Sequence, residues 1–249
     1  MEVQTVGDTV DGRKLYHVRM GDENAADKVL IFAGIHGREY MTTQLVMEQL
    51  GEFVENLLHE DRTYKGYSYS ELLRDRALHI IPMANPDGVT VSQFGAEGMR
   101  SPGIREQVWE IADEDGARMP WKSYFRRWKS NAEGVDVNRN FDALWEEYVD
   151  GIGRPSREKY KGTAPESTKE AQALVNLTKR NCSAAQSAIT PPAVSYTGHL
   201  DSRESWHQGP RPLQNALPLS RAMNRTAIMK NWTRRDTRTG RCLRWGFPV

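Results

Sequence analysis

Apolar and polar positions along the chain fall into stretches that predict strands and helices in turn. Val3–Gly7 and Lys14–Met20 flank the turn signal Asp11-Gly12 and predict a β-hairpin. The continuous apolar run Val29–Ala33 is short, rich in β-formers and preceded by charged residues. Such a run is typical of a buried parallel strand. A second run, Ala77–Met83, predicts another strand of the same kind, which ends at the turn signal Asn85-Pro86-Asp87-Gly88.

Helical spacing appears between and after these runs. Met41–Leu58 carries apolar residues at intervals of three or four, which predicts an amphipathic helix. Glu166–Lys179 predicts another, with Pro165 placed just before its start. Alternating strands and helices favour an α/β fold with a mixed, mainly parallel sheet and helices on both faces. We expect a single domain over residues 1–249.

The segment Phe94–Glu133 breaks this alternation. It is rich in glycine, proline, tryptophan and charged residues, and only Ile104–Ala112 has a weak helical pattern. It predicts a long surface loop in which aromatic and basic side chains interleave. Such a stretch can bind nucleic acid, but a loop packed down by its own aromatics is the favoured interpretation. The interleaved residues are Trp121, Lys122, Tyr124, Phe125, Arg126, Arg127, Trp128 and Lys129.

Composition narrows the function classes. The formal net charge is +1, and 38% of residues are hydrophobic and 27% charged. These values favour neither nucleic acid nor an anionic membrane as a partner. No apolar run approaches the ~20 residues that span a bilayer, and no secretory signal is visible, so the cytoplasm is the default expectation. Cys182 and Cys242 form no metal or disulfide spacing and are expected to be plain thiols.

The segment His36-Gly37-Arg38-Glu39 follows the first predicted strand and precedes the helix from Met41. Ligands gather at the carboxyl ends of strands in parallel sheets. An imidazole and a carboxylate three residues apart at such a point can converge on one metal ion, and zinc favours these ligands. The alternative is that Glu39 caps the helix and His36 is incidental.

Further motifs in the same order point to a family. The chain continues with Asn85-Pro86-Asp87-Gly88 after the second strand and Gly134-Val135-Asp136-Val137-Asn138-Arg139-Asn140-Phe141 after the long loop. The segments Gly7–Arg13 and Tyr160–Glu166 belong to the same set of motifs. Together these motifs resemble the zinc carboxypeptidases over roughly Thr5 to Lys179.

The resemblance implies a role for each matching residue. His36 and Glu39 correspond to two zinc ligands, and Arg38 to a residue lining the cleft. Asn138 and Arg139 correspond to the pair that holds the terminal carboxylate of the substrate, a task that suits the planar fork of arginine. The long loop should carry an arginine after a tryptophan to polarise the scissile carbonyl. In this chain Lys129 occupies that position. For Arg139, the alternative to substrate binding is a buried salt bridge.

The chain departs from the family after Cys182. The third zinc ligand should be a histidine in a strand, but Pro191 and Pro192 stand there and argue against a central strand. The general-base glutamate expected near the carboxyl end has no counterpart, so the domain is predicted to be truncated. His199 and His207 are weak substitutes for the lost ligand, and we expect both to be surface residues.

A shifted reading frame accounts for this departure. When each new codon begins on an old third base, the codons from Ser187 to Gly198 can encode S-Y-H-S-T-G-S-V-I-Y-W, which looks like the missing third-ligand strand. We therefore predict that 183–215 is a non-native segment; genuine divergence is the alternative. As written, the chain is predicted to hydrolyse peptides poorly, because it lacks one of the three ligands that catalytic zinc uses. It is also predicted to be poorly stable, because prolines interrupt the segment after Cys182 and the sheet would lack its central strand.

Three functions remain open at this level. The leading one is a zinc-dependent metallocarboxypeptidase acting on a peptide with a free carboxylate. Within it, Arg127–Asn131 resembles the bacterial branch that cleaves cell-wall stem peptides. The second is a zinc-dependent deacylase of N-acyl amino acids. The third is a non-catalytic peptide-binding module that keeps Asn138 and Arg139 and uses no zinc.

Overall fold

The protein is described by a computed structural model that covers residues 1–117 and 119–181 and the backbone of two further strands, 185–189 and 194–197. Its strands are β1 (Glu2–Asp8), β2 (Lys14–Gly21), β3 (Asp27–Ala33), β4 (Thr63–Tyr64), β5 (Tyr67–Ser68), β6 (Arg76–Ile81), β7 (Ala185–Ile189) and β8 (Val194–Thr197). Its helices are α1 (Met41–Leu57), α2 (Tyr69–Leu72), α3 (Pro86–Phe94), α4 (Pro102–Glu114), α5 (Trp121–Phe125) and α6 (Lys169–Asn181).

The main sheet is mixed, with strand order β1-β2-β6-β3-β7-β8. Strand β3 is parallel to both of its neighbours, β6 and β7. The pairs β1–β2, β2–β6 and β7–β8 are antiparallel. Parallel pairing is therefore confined to the centre of the sheet, where β3 ends at the His36 motif. The predicted hairpin and both predicted central strands are confirmed.

Helices cover both faces of the sheet, as predicted. On one face, alternate residues of β2, β3 and β6 pack against α1, among them Met20, Ile31 and Leu78. On the other face, Leu30 and Phe32 of β3 pack against α6. Successive residues of a strand point to opposite faces, so the continuous apolar run of β3 serves two cores at once.

The Asn85-Pro86-Asp87-Gly88 segment is the start of α3 and not the turn that its composition predicts. The side chain of Asn85 accepts a hydrogen bond from the Gly88 amide at 2.8 Å and caps the helix. Pro86 occupies the first turn, where its missing N–H has no partner to lose. Residues with strong turn preferences therefore serve here as helix-initiating residues.

The long segment after α3 has a core of its own. The weak helical pattern at Ile104–Ala112 extends to the whole of α4, and α5 follows it. Three of the four aromatic side chains in the basic-aromatic stretch are buried in this core, while Trp121 stays 41% exposed. The core comprises Val91, Ala96, Met99, Val108, Ile111, Ala112, Tyr124, Phe125, Trp128 and Ala132.

Two further expectations need correction. Helix α6 begins at Lys169 and not at Glu166, because the Thr168 hydroxyl accepts a hydrogen bond from the Ala171 amide at 3.2 Å and caps the helix there. The strand expected to be missing beside β3 is present as β7, with Ala33 paired to Ile189. Strand β7 ends before Pro191 and Pro192, so these prolines do not interrupt it.

Cys182, Cys242, His199 and His207 lie outside the described residues. The predicted change of reading frame is not tested by β7 and β8 alone and stays a prediction. In the part of the chain that the structure describes, no helix is both long enough and apolar enough to cross a lipid bilayer.

Candidate metal and carboxylate site

Three motifs that are distant in sequence meet at the carboxyl end of β3. The amide of Asn85 donates to the carbonyl oxygens of Ile35 at 3.0 Å and Ser130 at 3.1 Å. The Gly37 amide donates to the Lys129 carbonyl at 3.0 Å. A Cβ on Gly37 would lie 2.3 Å from the Gly88 carbonyl oxygen, so only glycine fits this approach. The His36 motif is thus fixed between α3 and the loop after α5.

His36 and Glu39 point toward each other. The Nδ1 atom of His36 lies 2.9 Å from the nearer carboxylate oxygen of Glu39. His36 directly precedes the short 3₁₀ turn Gly37–Glu39, and Glu39 is the last residue of that turn. His36 is 6% exposed and Glu39 is half-buried. The spacing that suggested a pair of ligands therefore does place both side chains on the same side of the turn.

Asp136 connects this pair to Arg139. One carboxylate oxygen of Asp136 lies 3.4 Å from His36 Nε2. The other accepts a hydrogen bond from Arg139 Nε at 3.3 Å and one from the Lys159 amide at 3.3 Å. Asp136 is 1% exposed. His36 and Arg139 therefore lie on opposite sides of one buried carboxylate.

The charges in this cluster compensate one another. Burial disfavours the charged imidazole of His36, but its contacts with Asp136 and Glu39 outweigh burial and raise its pKa above the ordinary value. Burial alone would raise the pKa of Asp136, but the contact with His36 and the charges of Lys129 and Arg139 lower it overall. Asp136 is therefore held as an anion at neutral pH.

The remaining predicted site residues lie around this centre. Lys129 is half-buried, and its positive charge acts on Asp136. Asn138 is half-buried in the 3₁₀ turn Val137–Arg139. Arg38 is exposed, and one of its nitrogens lies 3.6 Å from the carboxylate of Glu158. The structure thus brings His36, Glu39, Asp136 and Arg139 into direct contact and leaves Arg38 on the exposed side.

The donors present fit part of a zinc site. Asp136 contacts Nε2 of His36, and Nδ1 of the same ring is directed at Glu39. A metal-binding histidine commonly binds the metal through one ring nitrogen while a carboxylate contacts the other. Ligands about 2.0–2.2 Å from a tetrahedral zinc ion lie roughly 3.3–3.6 Å apart, so this pair would open by several tenths of an ångström. Between residues 1 and 181, position 118 excepted, no three His, Cys, Asp or Glu side chains are grouped to hold a metal.

Two residues of this cluster were not assigned a role from the sequence. Asp136 belongs to a motif that was recognised, but only the fold shows that it faces His36. Tyr148 contacts Arg139: its hydroxyl accepts a hydrogen bond from Arg139 Nη1, and the guanidinium carbon lies 4.9 Å from its ring centroid. A general rule would have found Asp136, because a carboxylate commonly orients a metal-binding histidine. No sequence signal marks Tyr148.

The fold and the motifs together define a class of protein. Residues 1–202 match the peptidase M14 family, zinc carboxypeptidase. This chain therefore belongs to the zinc carboxypeptidase family. The predicted resemblance is confirmed, and so is the metallocarboxypeptidase-like class that it implied.

Individual relatives agree with this assignment. The chain is 30% identical over 179 residues to YqgT of Bacillus subtilis, covering 71% of this chain and 44% of that protein. It is 28% identical over 256 residues to γ-D-glutamyl-L-diamino acid endopeptidase 1 of Lysinibacillus sphaericus, covering 98% of this chain and 59% of the relative. The chain thus spans about half the length of these relatives.

A solved structure supports the fold alone. The crystal structure of thrombin-activatable fibrinolysis inhibitor superposes with a TM-score of 0.53 at 21% sequence identity. The superposition covers 75% of this chain and 41% of that protein.

Proposed function

We propose that this chain is a zinc-dependent peptidase of the metallocarboxypeptidase type that recognises a peptide through a free carboxylate. The observation that supports it most is the junction at Asp136. One carboxylate connects the two metal-donor candidates, His36 and Glu39, to the carboxylate-binding candidate Arg139. A peptide held by Arg139 would place its nearest bonds beside His36.

Arg139 is suited to bind the substrate carboxylate. A guanidinium has five N–H donors in a fixed plane. The contacts with Asp136 and Tyr148 use two of them. The other three are sufficient for a bidentate pair with a carboxylate, a geometry that lysine cannot provide. Asn138, one residue earlier, would contribute amide donors to the same group.

His36 and Glu39 would hold the zinc ion. When bound, zinc would supply a Lewis acid that activates water and stabilises negative charge developing on a carbonyl oxygen. Asp136 would keep His36 in the orientation that presents Nδ1. Lys129 would place a positive charge beside the scissile carbonyl. As an ammonium it acts as a point charge, so its alignment with the carbonyl is less strict than that of an arginine fork.

Cell-wall stem peptides are the proposed substrate class. The stretch Arg127–Asn131 resembles the bacterial cell-wall branch, and one relative is named as a γ-D-glutamyl-L-diamino acid endopeptidase. Such peptides carry several carboxylates, which agrees with recognition by Arg139. A single arginine can bind a substrate carboxylate without a large net positive charge on the protein. The formal net charge of +1 is compatible with such recognition.

We further propose that the chain as written turns over poorly. The described residues offer two zinc donors, whereas catalytic sites use three protein ligands. A general base contributes ~10²–10⁴-fold to rate, and no residue in the part of the chain that the structure describes is assigned this role. In the shifted frame, the histidine codon would begin on the third base of the Ile189 codon. Ile189 pairs with Ala33, so this histidine would be at the strand end beside the His36 motif.

Binding and hydrolysis test separate parts of the proposal. Calorimetric titration should show tighter binding of a γ-D-glutamyl-L-diamino acid peptide with a free carboxylate than of its amide. Arg139→Lys should weaken binding of the free acid about 10- to 100-fold and leave the amide unchanged. Arg62→Lys, on a surface ion pair with Glu55, is the matched control. Equal affinity of wild-type protein for acid and amide would contradict the proposal.

Hydrolysis then distinguishes the alternatives. We expect weak, zinc-dependent cleavage of the peptide that is abolished by a chelator and by His36→Ala. Stronger cleavage of an N-acyl amino acid than of the peptide would favour the deacylase. Peptide binding unaffected by a chelator, with no cleavage at any zinc concentration, would favour the binding module. Rapid zinc-dependent cleavage of the peptide would contradict the proposal that the chain turns over poorly. It would mean that another residue, such as His199 or His207, is the third zinc ligand.

A further inference from the structure

We infer that Tyr148 is a positioning residue for Arg139 and that it sets the selectivity of the proposed site for carboxylates. This inference rests on the proposed function, in which Arg139 binds the substrate carboxylate. The motivating geometry is a double contact. The Tyr148 hydroxyl accepts a hydrogen bond from Arg139 Nη1. The centroid of the Tyr148 ring lies 4.9 Å from the guanidinium carbon of Arg139.

The contact restrains Arg139 in two directions. Asp136 holds the Nε side of the guanidinium, and Tyr148 holds Nη1. An aromatic face also attracts a guanidinium cation. With both sides held, the orientation of the guanidinium plane is fixed before substrate arrives. A group ordered in advance does not lose that freedom on binding, which increases affinity.

Tyr148 is itself held firmly, because its loop is fastened by Lys161. The amino group of Lys161 donates to the carbonyl oxygens of Tyr148 at 2.6 Å and Trp145 at 2.9 Å. It also lies 3.9 Å from the Trp145 ring centroid. The Lys161 amide donates to the carboxylate of Asp150 at 3.0 Å. The loop therefore has several attachments to one residue.

Lys161 is in turn connected to the motif that carries Arg139. The side chain of Asn140 donates to the Lys161 carbonyl at 2.8 Å, and the indole of Trp145 donates to the same oxygen at 3.1 Å. Asn140 immediately follows Arg139 in the chain. Tyr148 and Arg139 are thus anchored to the same point, so their relative position does not depend on a freely moving loop.

The hydroxyl and the ring of Tyr148 should each contribute to the ratio of acid to amide affinity. Tyr148→Phe keeps the ring and loses the hydroxyl, so it should lower the ratio of acid to amide affinity by about 2- to 5-fold. Tyr148→Leu loses both and should lower the ratio by about 5- to 20-fold. Affinity for the amide should stay the same in both variants, since the amide makes no ion pair with Arg139.

The test is calorimetric titration of wild-type protein and each variant with the γ-D-glutamyl-L-diamino acid peptide and its amide. Tyr67→Leu, at an exposed tyrosine on β5, is the matched control and should keep the wild-type ratio. Lys161→Met should lower the ratio with Tyr148 intact, because it releases the loop. Thermal midpoints of all variants show whether each remains folded.

The possible outcomes separate this inference from the proposed function. A wild-type protein with no preference for the acid overturns the proposed function and this inference with it. A wild-type preference that survives Tyr148→Leu unchanged overturns the inference alone. A parallel loss of acid and amide binding with a lowered thermal midpoint also overturns it, because that pattern shows a purely structural role. A graded loss from wild type through phenylalanine to leucine, for the acid only, supports it.

Discussion

Histidines of similar burial behave in opposite ways in two regions of this molecule. At the carboxyl end of β3, His36 contacts two carboxylates, and these raise its pKa in spite of burial. At the interface between the sheet and α6, the rings of His17 and His79 are nearly parallel, with their centroids 5.1 Å apart. Burial lowers the pKa of each of these two to about 4.

The difference lies in the neighbours. Near His36, Asp136 and Glu39 supply negative charge at contact distance. His17 Nε2 lies 3.0 Å from His79 Nδ1, so each ring contacts a group that becomes positive when protonated. The surroundings of His36 thus accommodate charge, whereas the interface between the sheet and α6 excludes it. We expect a ligand or ion site in the first region and a purely structural role in the second.

A buried carboxyl group at the start of α6 also lacks compensating charge. Glu170 of α6 is fully buried, and one of its oxygens has no hydrogen-bond partner. The other accepts from the Asn131 amide at 3.1 Å. Burial, with the charges of Asp87 and Glu133, raises the pKa of Glu170 to about 7. Uncompensated burial therefore shifts the pKa of this acid, as it does the pKa of the two histidines, toward the value that favours the neutral form.

The largest expected effect concerns the histidine pair. The pKa of each falls from 6.5 to about 4 on folding, so the unfolded chain binds more protons below pH 6.5 and stability decreases as pH falls toward 4. Between pH 7.5 and 5, each histidine should cost about 2 kcal/mol. The double variant His17→Leu/His79→Leu should lose correspondingly less stability over this range.

Urea unfolding at both pH values measures this difference. His59→Gln, at an exposed histidine, should keep the wild-type pH dependence. If the double variant also follows the wild-type curve, the two buried histidines are not neutral in the folded state and the comparison with His36 fails.

The second effect concerns Glu170. Its pKa rises on folding, so its contribution to stability is greatest below pH 4.5 and decreases as pH rises through about 7. The isosteric variant Glu170→Gln removes this penalty. It should stabilise the protein by roughly 3 kcal/mol at pH 8 and by much less at pH 5. Chemical denaturation at both pH values measures the gain, and an equal effect at pH 5 and pH 8 would refute it.

The smallest effect is expected at Asp136, in the compensated region. Asp136→Asn keeps the shape but removes the negative charge that His36 and Arg139 contact. Hydrogen bonds to charged groups contribute about 1.5–3 kcal/mol each, but the amide oxygen retains part of them. We expect a loss of about 2 kcal/mol at pH 7 in urea unfolding. Glu133→Gln, at a half-buried carboxylate that accepts a hydrogen bond from the Asn131 side chain, is the matched comparison and should not be destabilising.

Local pattern was sufficient for much of the sheet. The hairpin β1–β2, strand β3 and helix α1 follow from periodicity and turn residues over short windows. Helix α3 was missed because its first residues, Asn85 to Gly88, also have strong turn preferences. The extent of α4 was missed because its apolar side chains are few. They suffice only when residues from α3 and α5 complete the same core.

The candidate site divides along the same line. By itself the sequence determined that His36 and Glu39 are neighbours. They are three residues apart across one short turn, and this spacing brings their side chains together. It also determined the family, through motifs in a fixed order. Only the tertiary structure decided that Asp136 joins His36 to Arg139 and that Tyr148 contacts Arg139. It also decided that His17 and His79 share a buried interface. These contacts depend on strand order, loop packing and desolvation, which combine residues many positions apart and have no local signature.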